Sequence, residues 1–417
     1  MKKIISVCLS LVLIISAFSA CGKEKFKRQK TNLLAMCEAI SDVNTEVEST
    51  LTKEYVSRVA GTLGVKSYRL WMHFNRILTR EANSNKIIIN QNAANKFHEF
   101  IALLKKSGVK RFICMTSNYL YPYGYEPTTN NVIPDPLYEK ENYIEFLEFF
   151  RDCFKIIAEE FPEIDYFEPA NEPDIYNGQN LCKNGYEWQG SDNGDYLWSD
   201  YDAAHIVADM MWYARAGVKE VAEKNKIVMP GLCGYSTTPN YLNEIYCAIE
   251  SKTLPTGSDK AYVNPDDYFD ILNWHPYLLD EGAPNMNDEW RDLQKKIYSA
   301  AEEHGDGDKP VWFTEIGFTD LCSEQKMEEN ADNLNKMLNY ISKDLKFVES
   351  IFIFRVSNLT GNAKMNSFEN NFGLFYSLND EDKNKAGQPK PIAIALYKYL
   401  NGENADLQPL YNLAERN

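Results

Sequence analysis

Glutamates at the ends of two short apolar runs are the residues of this chain best suited to chemistry. Glu172 follows Asn171 at the end of the run 166–170, and Glu315 ends the run 311–314. Short apolar runs of this kind are typical of buried β-strands. Burying an ionised carboxylate costs free energy unless a charge or a hydrogen bond compensates it. The two glutamates are therefore predicted to have a chemical or an ion-pairing role.

Two carboxylates at strand ends can share the work of breaking a glycosidic bond. One, as a carboxylic acid, protonates the leaving oxygen, and the other, as a carboxylate, attacks the sugar. The acid needs a pKa raised by burial or by a negative neighbour, whereas the nucleophile needs hydrogen-bond donors. The structural alternatives are a helix N-terminal residue for Glu172 and a buried ion-pair partner for Glu315.

Four other polar residues lie at or beside predicted strand ends. Arg69 is placed to donate charge-assisted hydrogen bonds to Glu315, and Tyr277 could donate its hydroxyl to the same carboxylate. Asn171 could hold a sugar 2-hydroxyl, whose hydrogen bond strengthens in the transition state. His275 would orient a neighbour or bind a sugar hydroxyl. Purely structural roles remain open for Arg69, His275 and Tyr277.

The order of apolar and amphipathic segments predicts strands alternating with helices. The predicted strands are 32–37, 67–72, 109–115, 166–170, 227–232, 269–274, 311–313 and 351–356. The predicted helices are 53–63, 92–106, 142–160, 201–224, 241–250, 288–304, 328–345 and 391–400. Eight such repeats indicate an α/β chain folded as one (β/α)8 TIM barrel, a single catalytic domain over residues 31–417.

Long segments follow the third, fourth and eighth predicted strands, on the face where barrel enzymes carry their sites. They span residues 116–138, 174–199 and 358–390. Aromatic rings in these segments could stack on sugars or could pack in the core. The substrate-binding candidates here and at the end of the eighth strand are Asn118, Tyr119, Trp188 and Arg355.

The first residues have the pattern of a bacterial lipoprotein signal peptide. Lys2 and Lys3 precede the apolar stretch 4–18, and small residues precede Cys21. The stretch is too short to predict a spanning helix with confidence. Residues 18–21 resemble a lipobox, which implies cleavage after residue 20 and lipid on Cys21, with 21–30 as a tether. Plain secretion is the alternative; either way the chain is expected outside the cytoplasm.

Composition excludes several classes of partner and site. The formal net charge of −16 disfavours binding to nucleic acid or to an anionic membrane surface. Membrane contact is therefore expected through the lipid anchor only, and the chain is expected to be monomeric. Nine cysteines form no Cys-x-x-Cys pair, five histidines lack metal-ligand spacing, and no glycine-rich phosphate loop follows a strand. No metal or cofactor is predicted.

The motifs at the strand ends resemble those of glycoside hydrolase clan A, which includes cellulase-like family 5 and xylosidase-like family 39. Asn-Glu-Pro closes the fourth predicted strand, a Glu closes the seventh, and His-x-Tyr closes the sixth. The resemblance covers residues 31–400 and implies that Glu172 is the acid/base and Glu315 the nucleophile of a retaining glycosidase. Two departures are the missing His near the end of the third strand and the missing Trp at the end of the eighth.

Other functions share parts of this pattern. A carbohydrate-binding surface lipoprotein would bind sugar and tolerate loss of either glutamate. A solute-binding lipoprotein would need two lobes, which the eight-fold alternation disfavours. A transglycosylase would use the same residues and differ only in whether a sugar or water accepts the glycosyl group.

Overall fold

The computed structural model describes residues 33–40, 43, 51–81, 84, 86–116, 133, 140–174, 203–250, 263–277, 286–320, 323–359 and 369–414. These residues belong to one unit, Thr31–Asn417. The predicted signal peptide, tether and Cys21 lie outside the described residues, as do Asn118, Tyr119 and Trp188.

Eight strands pair in parallel to form one sheet. They are β1 Leu34–Cys37, β2 Ser67–Trp71, β5 Arg111–Met115, β6 Tyr166–Glu168, β7 Lys226–Ile227, β8 Leu272–Asn273, β9 Val311–Ile316 and β10 Val348–Ile353. A separate antiparallel hairpin is made of β3 Leu78–Arg80 and β4 Ile87–Ile89. In the sheet the order of neighbours is β7-β6-β5-β2-β1-β10-β9-β8.

The edges of this sheet meet. Val228 bridges to Ile271 and Leu232 bridges to Trp274, both in parallel, so the segments after β7 and beside β8 pair with each other. All edges are then joined, as a barrel requires. The predicted (β/α)8 barrel is confirmed.

Helices separate the barrel strands along the chain. They are α1 Lys53–Leu63, α2 Phe74–Ile77, α3 Gln91–Lys106, α4 Lys140–Glu160, α5 Ala203–Val221, α6 Thr238–Glu250, α7 Asp288–Glu303, α8 Glu324–Lys343, α9 Pro391–Asn401 and α10 Gln408–Tyr411. Their ends follow local rules: Thr52 caps α1 by accepting from the Tyr55 N–H, and Gly64 ends it at φ 70°. The helix α1 begins and ends as predicted.

Apolar residues fill two layers. One cluster includes Ile113, Val228, Trp312 and Phe352 and involves alternate residues of the barrel strands. The larger cluster includes Val59, Phe112 and Leu338 and joins strands to helices. Two layers around a parallel sheet are what a (β/α)8 barrel buries, and they make its strands a fixed frame for the side chains at their ends.

Several strand bounds differ from prediction. β9 continues to Ile316 because it pairs with β10 as far as Ile353, so Glu315 lies inside the strand. β7 and β8 are shorter than predicted, since beyond them pairing continues only as isolated bridges. The hairpin and α2 were not predicted, because three-residue strands are too short to show alternation.

Among the described cysteines, Cys37, Cys114, Cys153 and Cys233 are buried free thiols and Cys247 is exposed. In the part of the chain that the structure describes, the helices are too short or too polar to cross a membrane.

Candidate active site

The carboxyl ends of the barrel strands gather the predicted polar residues on one face. Strands β2 and β9 carry Arg69 and Glu315, and the segments after β6 and β8 carry the others. Hydrogen bonds join Arg69, Asn171, Glu315 and Tyr277 in one group and Glu172 and His275 in a second. Thr314 and Glu168 link the second group to Arg69. Parallel strands bring these ends together although their residues are far apart in sequence.

Glu315 is held by two donors. Arg69 Nη1 donates to Glu315 Oε2 over 2.9 Å, and the Tyr277 hydroxyl donates to Oε1 over 3.2 Å. The Glu315 side chain is 11 % exposed. Donors of this kind favour the charged form of a carboxylate. The arrangement suits a group that must be ionised when it reacts.

Glu172 lies in a different environment. Its Oε1 is 2.8 Å from His275 Nδ1, and the other ring nitrogen, Nε2, is 3.1 Å from Thr314 Oγ1. Burial raises the pKa of Glu172 to about 7; Arg69 opposes this effect and Glu168 adds to it. Burial also lowers the pKa of His275 to about 4, so the imidazole is neutral at pH 7. Glu172 can therefore carry a proton near neutral pH.

The two glutamates face each other closely. One oxygen of Glu172, one oxygen of Glu315 and a ring nitrogen of His275 all lie within 4.8 Å of one another. Within the described ranges this is the group with ligand-like spacing for a metal ion. The Arg69 guanidinium, however, already provides positive charge at Glu315, and the His275 nitrogens already face Glu172 and Thr314. The arrangement suits proton transfer and nucleophilic attack better than metal binding.

Beneath the glutamates, Glu168 organises the site. Arg69 donates to it twice, from Nε and from Nη2, each over 2.8 Å. Asn273, Thr314 and the Gly231 N–H also donate to its Oε1. From the sequence Glu168 reads as a surface or structural acid; it is structural, and it is fully buried.

Asn171 is oriented by the same arginine. Its Oδ1 accepts a hydrogen bond from Arg69 Nη2 over 2.7 Å. The orientation of this amide is thereby fixed beside Glu172, where it could meet a sugar hydroxyl.

Arg355, predicted from the sequence to bind substrate, pairs with a buried carboxylate. Its Nε and Nη2 donate to Glu38 Oε1 over 3.2 and 2.9 Å, and the residue is only 4 % exposed. Glu38 also accepts from the Val356 N–H. A buried charge is stabilised by such pairing, so this arginine joins the ends of β1 and β10, and its role in substrate binding stays a prediction.

An aromatic wall lies beside Glu315. Trp71 stacks on Phe354 at 6.4 Å and 18°, and Phe354 packs on Phe372 at 5.7 Å. Phe372 contacts Tyr277 at 5.9 Å. Phe354 directly follows β10, the eighth barrel strand, and both Phe354 and Phe372 are largely buried.

Residues 203–378 match the family model described as the glycosyl hydrolase catalytic core. This part of the chain is a glycoside hydrolase catalytic core.

Solved structures share the fold of this glycoside hydrolase. A monomeric β-xylosidase from Caulobacter crescentus is 15 % identical, with a TM-score of 0.57, covering 90 % of this chain and 69 % of its own. A family 5 xyloglucan-specific endo-β-1,4-glucanase from a metagenomic library is 16 % identical, with a TM-score of 0.54, covering 84 % and 88 %. A family 39 enzyme from Xanthomonas axonopodis is 13 % identical, with a TM-score of 0.56, covering 90 % and 67 %. The (β/α)8 fold that the resemblance to clan A implies is confirmed. A search of the curated proteins gave no match.

The sequence identifies Glu168 and Asp174 only as surface or structural acids, and it does not identify Glu38, Thr314 or Asn273 as groups near the site. Glu38, Glu168 and Asp174 are buried acids, and Thr314 and Asn273 link Glu168 to the site. In the sequence, such a residue is marked only by its position: an acid or amide lies within a predicted buried strand or just after it. This position indicates that the side chain has a hydrogen-bond or ion-pair partner, but it does not identify that partner.

Proposed function

We propose that this glycoside hydrolase is a retaining β-glycosidase in which Glu172 is the acid/base and Glu315 the nucleophile. One observation carries the proposal: oxygens of the two carboxyl groups lie within 4.8 Å, and the two groups have opposite environments. Retaining enzymes place their carboxyl groups about 5–5.5 Å apart, whereas inverting enzymes leave room for a water at about 6.5–9.5 Å.

In the first step a Glu315 oxygen attacks the anomeric carbon and the bond from that carbon to the leaving oxygen breaks. The proton of Glu172 passes to the leaving oxygen, so Glu172 becomes a carboxylate and Glu315 a glycosyl ester. The raised pKa of Glu172, near 7 because of burial, supports its role as proton donor. Arg69 and Tyr277 stabilise the Glu315 charge before it attacks.

In the second step Glu172 accepts a proton from a water whose oxygen attacks the anomeric carbon. The ester bond breaks, and Glu315 regains its negative charge. Two inversions leave the configuration of the sugar unchanged. A sugar acceptor in place of water would give transglycosylation by the same residues.

The charges near the site favour a neutral substrate. Arg69 pairs with Glu168 and Glu315, and Arg355 pairs with Glu38, while the chain as a whole carries −16. A uronate or sulfate group would meet paired arginines and an acidic surface. We infer that the substrate is a neutral poly- or oligosaccharide.

The proposed location is outside the cytoplasm, with a lipid on Cys21. It rests on the pattern of residues 2–21. Metabolic labelling with a radioactive fatty acid should mark the wild-type chain and not Cys21→Ser. Labelling of both would contradict the proposed anchor.

A hydrolysis screen tests the activity. The purified protein is offered neutral β-linked polysaccharides, oligosaccharides and aryl glycosides, beside Glu315→Ala and the matched control Asp306→Asn, which changes a buried acid before β9. Release of sugar by the wild type and the control, but not by Glu315→Ala, is expected. Release by all three would refute the role of Glu315, and sugar binding without release by any would favour a binding protein.

A further inference from the structure

Asp174 ties the segment that carries Glu172 to the neighbouring strand. Its Oδ1 accepts the Cys233 N–H over 2.8 Å, and its Oδ2 accepts the Thr238 hydroxyl over 3.0 Å. Asp174 is 9 % exposed and Thr238 is fully buried. Both carboxylate oxygens are therefore committed to the segment between β7 and the first turn of α6.

The backbone of Glu172 needs such support. Its φ of 48° is left-handed, a conformation that a residue with a side chain adopts at a cost. Strain of this kind persists only where the surroundings hold it in place. The Glu172 N–H donates to the Gly231 carbonyl over 2.8 Å, and Asp174 fixes the chain two residues later. The turn is thus held on both sides of Glu172.

The same segment touches the partner of Glu172. A Cβ on Gly231 would lie 2.1 Å from His275 Nε2, and one on Gly234 would lie 2.1 Å from the His275 carbonyl oxygen. Glycine is required at both places because any side chain would displace His275. The residues 231–238 therefore contact Asp174 and His275 together, and each of these determines where the Glu172 carboxyl group lies.

We propose that Asp174 is a positioning residue that holds Glu172 where its proton can reach the leaving oxygen. This role rests on the proposed function of Glu172. Asp174 does not touch the substrate; it acts by fixing the turn. Displacement of a catalytic group by about 1 Å can cost about 100-fold in rate. Loss of Asp174 should therefore impair acid catalysis specifically and leave nucleophilic attack by Glu315 in place.

The test compares two leaving groups. A dinitrophenyl glycoside needs little protonation, whereas an oligosaccharide that is cleaved in the hydrolysis screen needs a proton from Glu172. Asp174→Ala should lower kcat/KM on the oligosaccharide by about 100-fold and on the dinitrophenyl glycoside by less than about threefold. Thr238→Val, which removes one of the two hydrogen bonds, should show a loss of about fivefold on the oligosaccharide only.

Controls separate positioning from folding. Asp306→Asn removes a buried carboxylate that accepts from Tyr246, before β9, and should leave the ratio of the two activities unchanged. Thermal melting shows whether Asp174→Ala is folded. If it is not, Asp174→Asn replaces it: this variant retains one acceptor oxygen and should give a ratio of oligosaccharide to dinitrophenyl glycoside activity between those of the wild type and Asp174→Ala. Equal losses on both substrates, or no loss, in both Asp174 variants would overturn the proposal. A wild type inactive on every glycoside would instead refute the proposed function.

Discussion

Arg69 and Glu168 form an ion pair whose side chains are both completely buried beneath the candidate active site. Two bonds of 2.8 Å join the guanidinium to the carboxylate. The remaining nitrogen of the fork reaches Glu315, and Nη2 also reaches Asn171. Bidentate pairing fixes the orientation of the guanidinium as well as its position, so Glu168 determines the direction in which Arg69 donates to the proposed nucleophile, Glu315.

Replacing Arg69 by Met should therefore destabilise the fold as well as abolish activity. The variant leaves Glu168 buried without its charge partner, which costs about 3–5 kcal/mol. Urea unfolding measures the loss of stability. The free energy of unfolding of Arg69→Lys should lie between those of the wild type and Arg69→Met, because lysine keeps the charge but loses the planar, two-pronged guanidinium. An Arg69→Met protein that unfolds at the wild-type urea concentration would contradict this account.

The pH profile should report the proton on Glu172. Burial raises the pKa of Glu172 to about 7, so the acid form is lost as the pH rises through that value. With the oligosaccharide, kcat/KM should fall above about pH 7. With a dinitrophenyl glycoside that fall should be absent, because the leaving group needs no proton. Protonation of His275 does not produce the fall, since its pKa is about 4. The same alkaline fall with both substrates would assign it to another group.

Glu172 should also cost stability at high pH. Its pKa is raised above the ordinary value of 4.5, so the folded chain binds the proton more tightly than the unfolded chain does. The stability gained from protonated Glu172 is present at low pH and is lost as the pH rises to about 7. Glu172→Gln removes this dependence and should be more stable than the wild type above about pH 7, by on the order of 2 kcal/mol. Thermal melts at about pH 5 and about pH 8 check this, and a difference that is constant with pH would contradict it.

Glu38 and Arg355 should matter for stability and little for substrate affinity. Their pair is buried, with Nη2 to Oε1 at 2.9 Å. Glu38→Ala leaves Arg355 buried without this carboxylate, which should cost about 3–5 kcal/mol. The double variant Glu38→Met/Arg355→Met should recover most of that loss. The KM for the oligosaccharide should stay close to the wild-type value in the double variant. A rise in KM of about tenfold would indicate that Arg355 binds the substrate.

The barrel could be predicted from the sequence because its signals are local. An apolar run such as 67–72 predicts a strand and an amphipathic segment such as 53–63 predicts a helix, each from its own residues alone. The placement of Glu172 in the segment after β6 and of Glu315 near the end of β9 follows from the same runs, since the carboxyl ends of parallel barrel strands lie on one face.

The ion-pair and hydrogen-bond partners of the buried charged residues could not be predicted in the same way. Arg69 and Glu168 are 99 residues apart, and Arg355 and Glu38 are 317 apart. An arginine at a strand end has several acids within reach, and only the register of the closed barrel selects one. Asp174 is a second case: its partners lie on the next strand's loop, 59 and 64 residues away. The segments that hold Asn118, Tyr119 and Trp188 lie outside the described residues, and their roles stay predictions.

The central claim is that Glu315 becomes covalently attached to the sugar. The most direct measurement incubates the protein with a 2-fluoro glycoside of the sugar found in the hydrolysis screen, then maps the added mass by peptide mass spectrometry. The expected result is one glycosyl group on the peptide containing Glu315 in the wild type, and none in Glu315→Ala. A glycosyl group on a different peptide, or continued turnover with no labelled protein, would contradict the proposed mechanism.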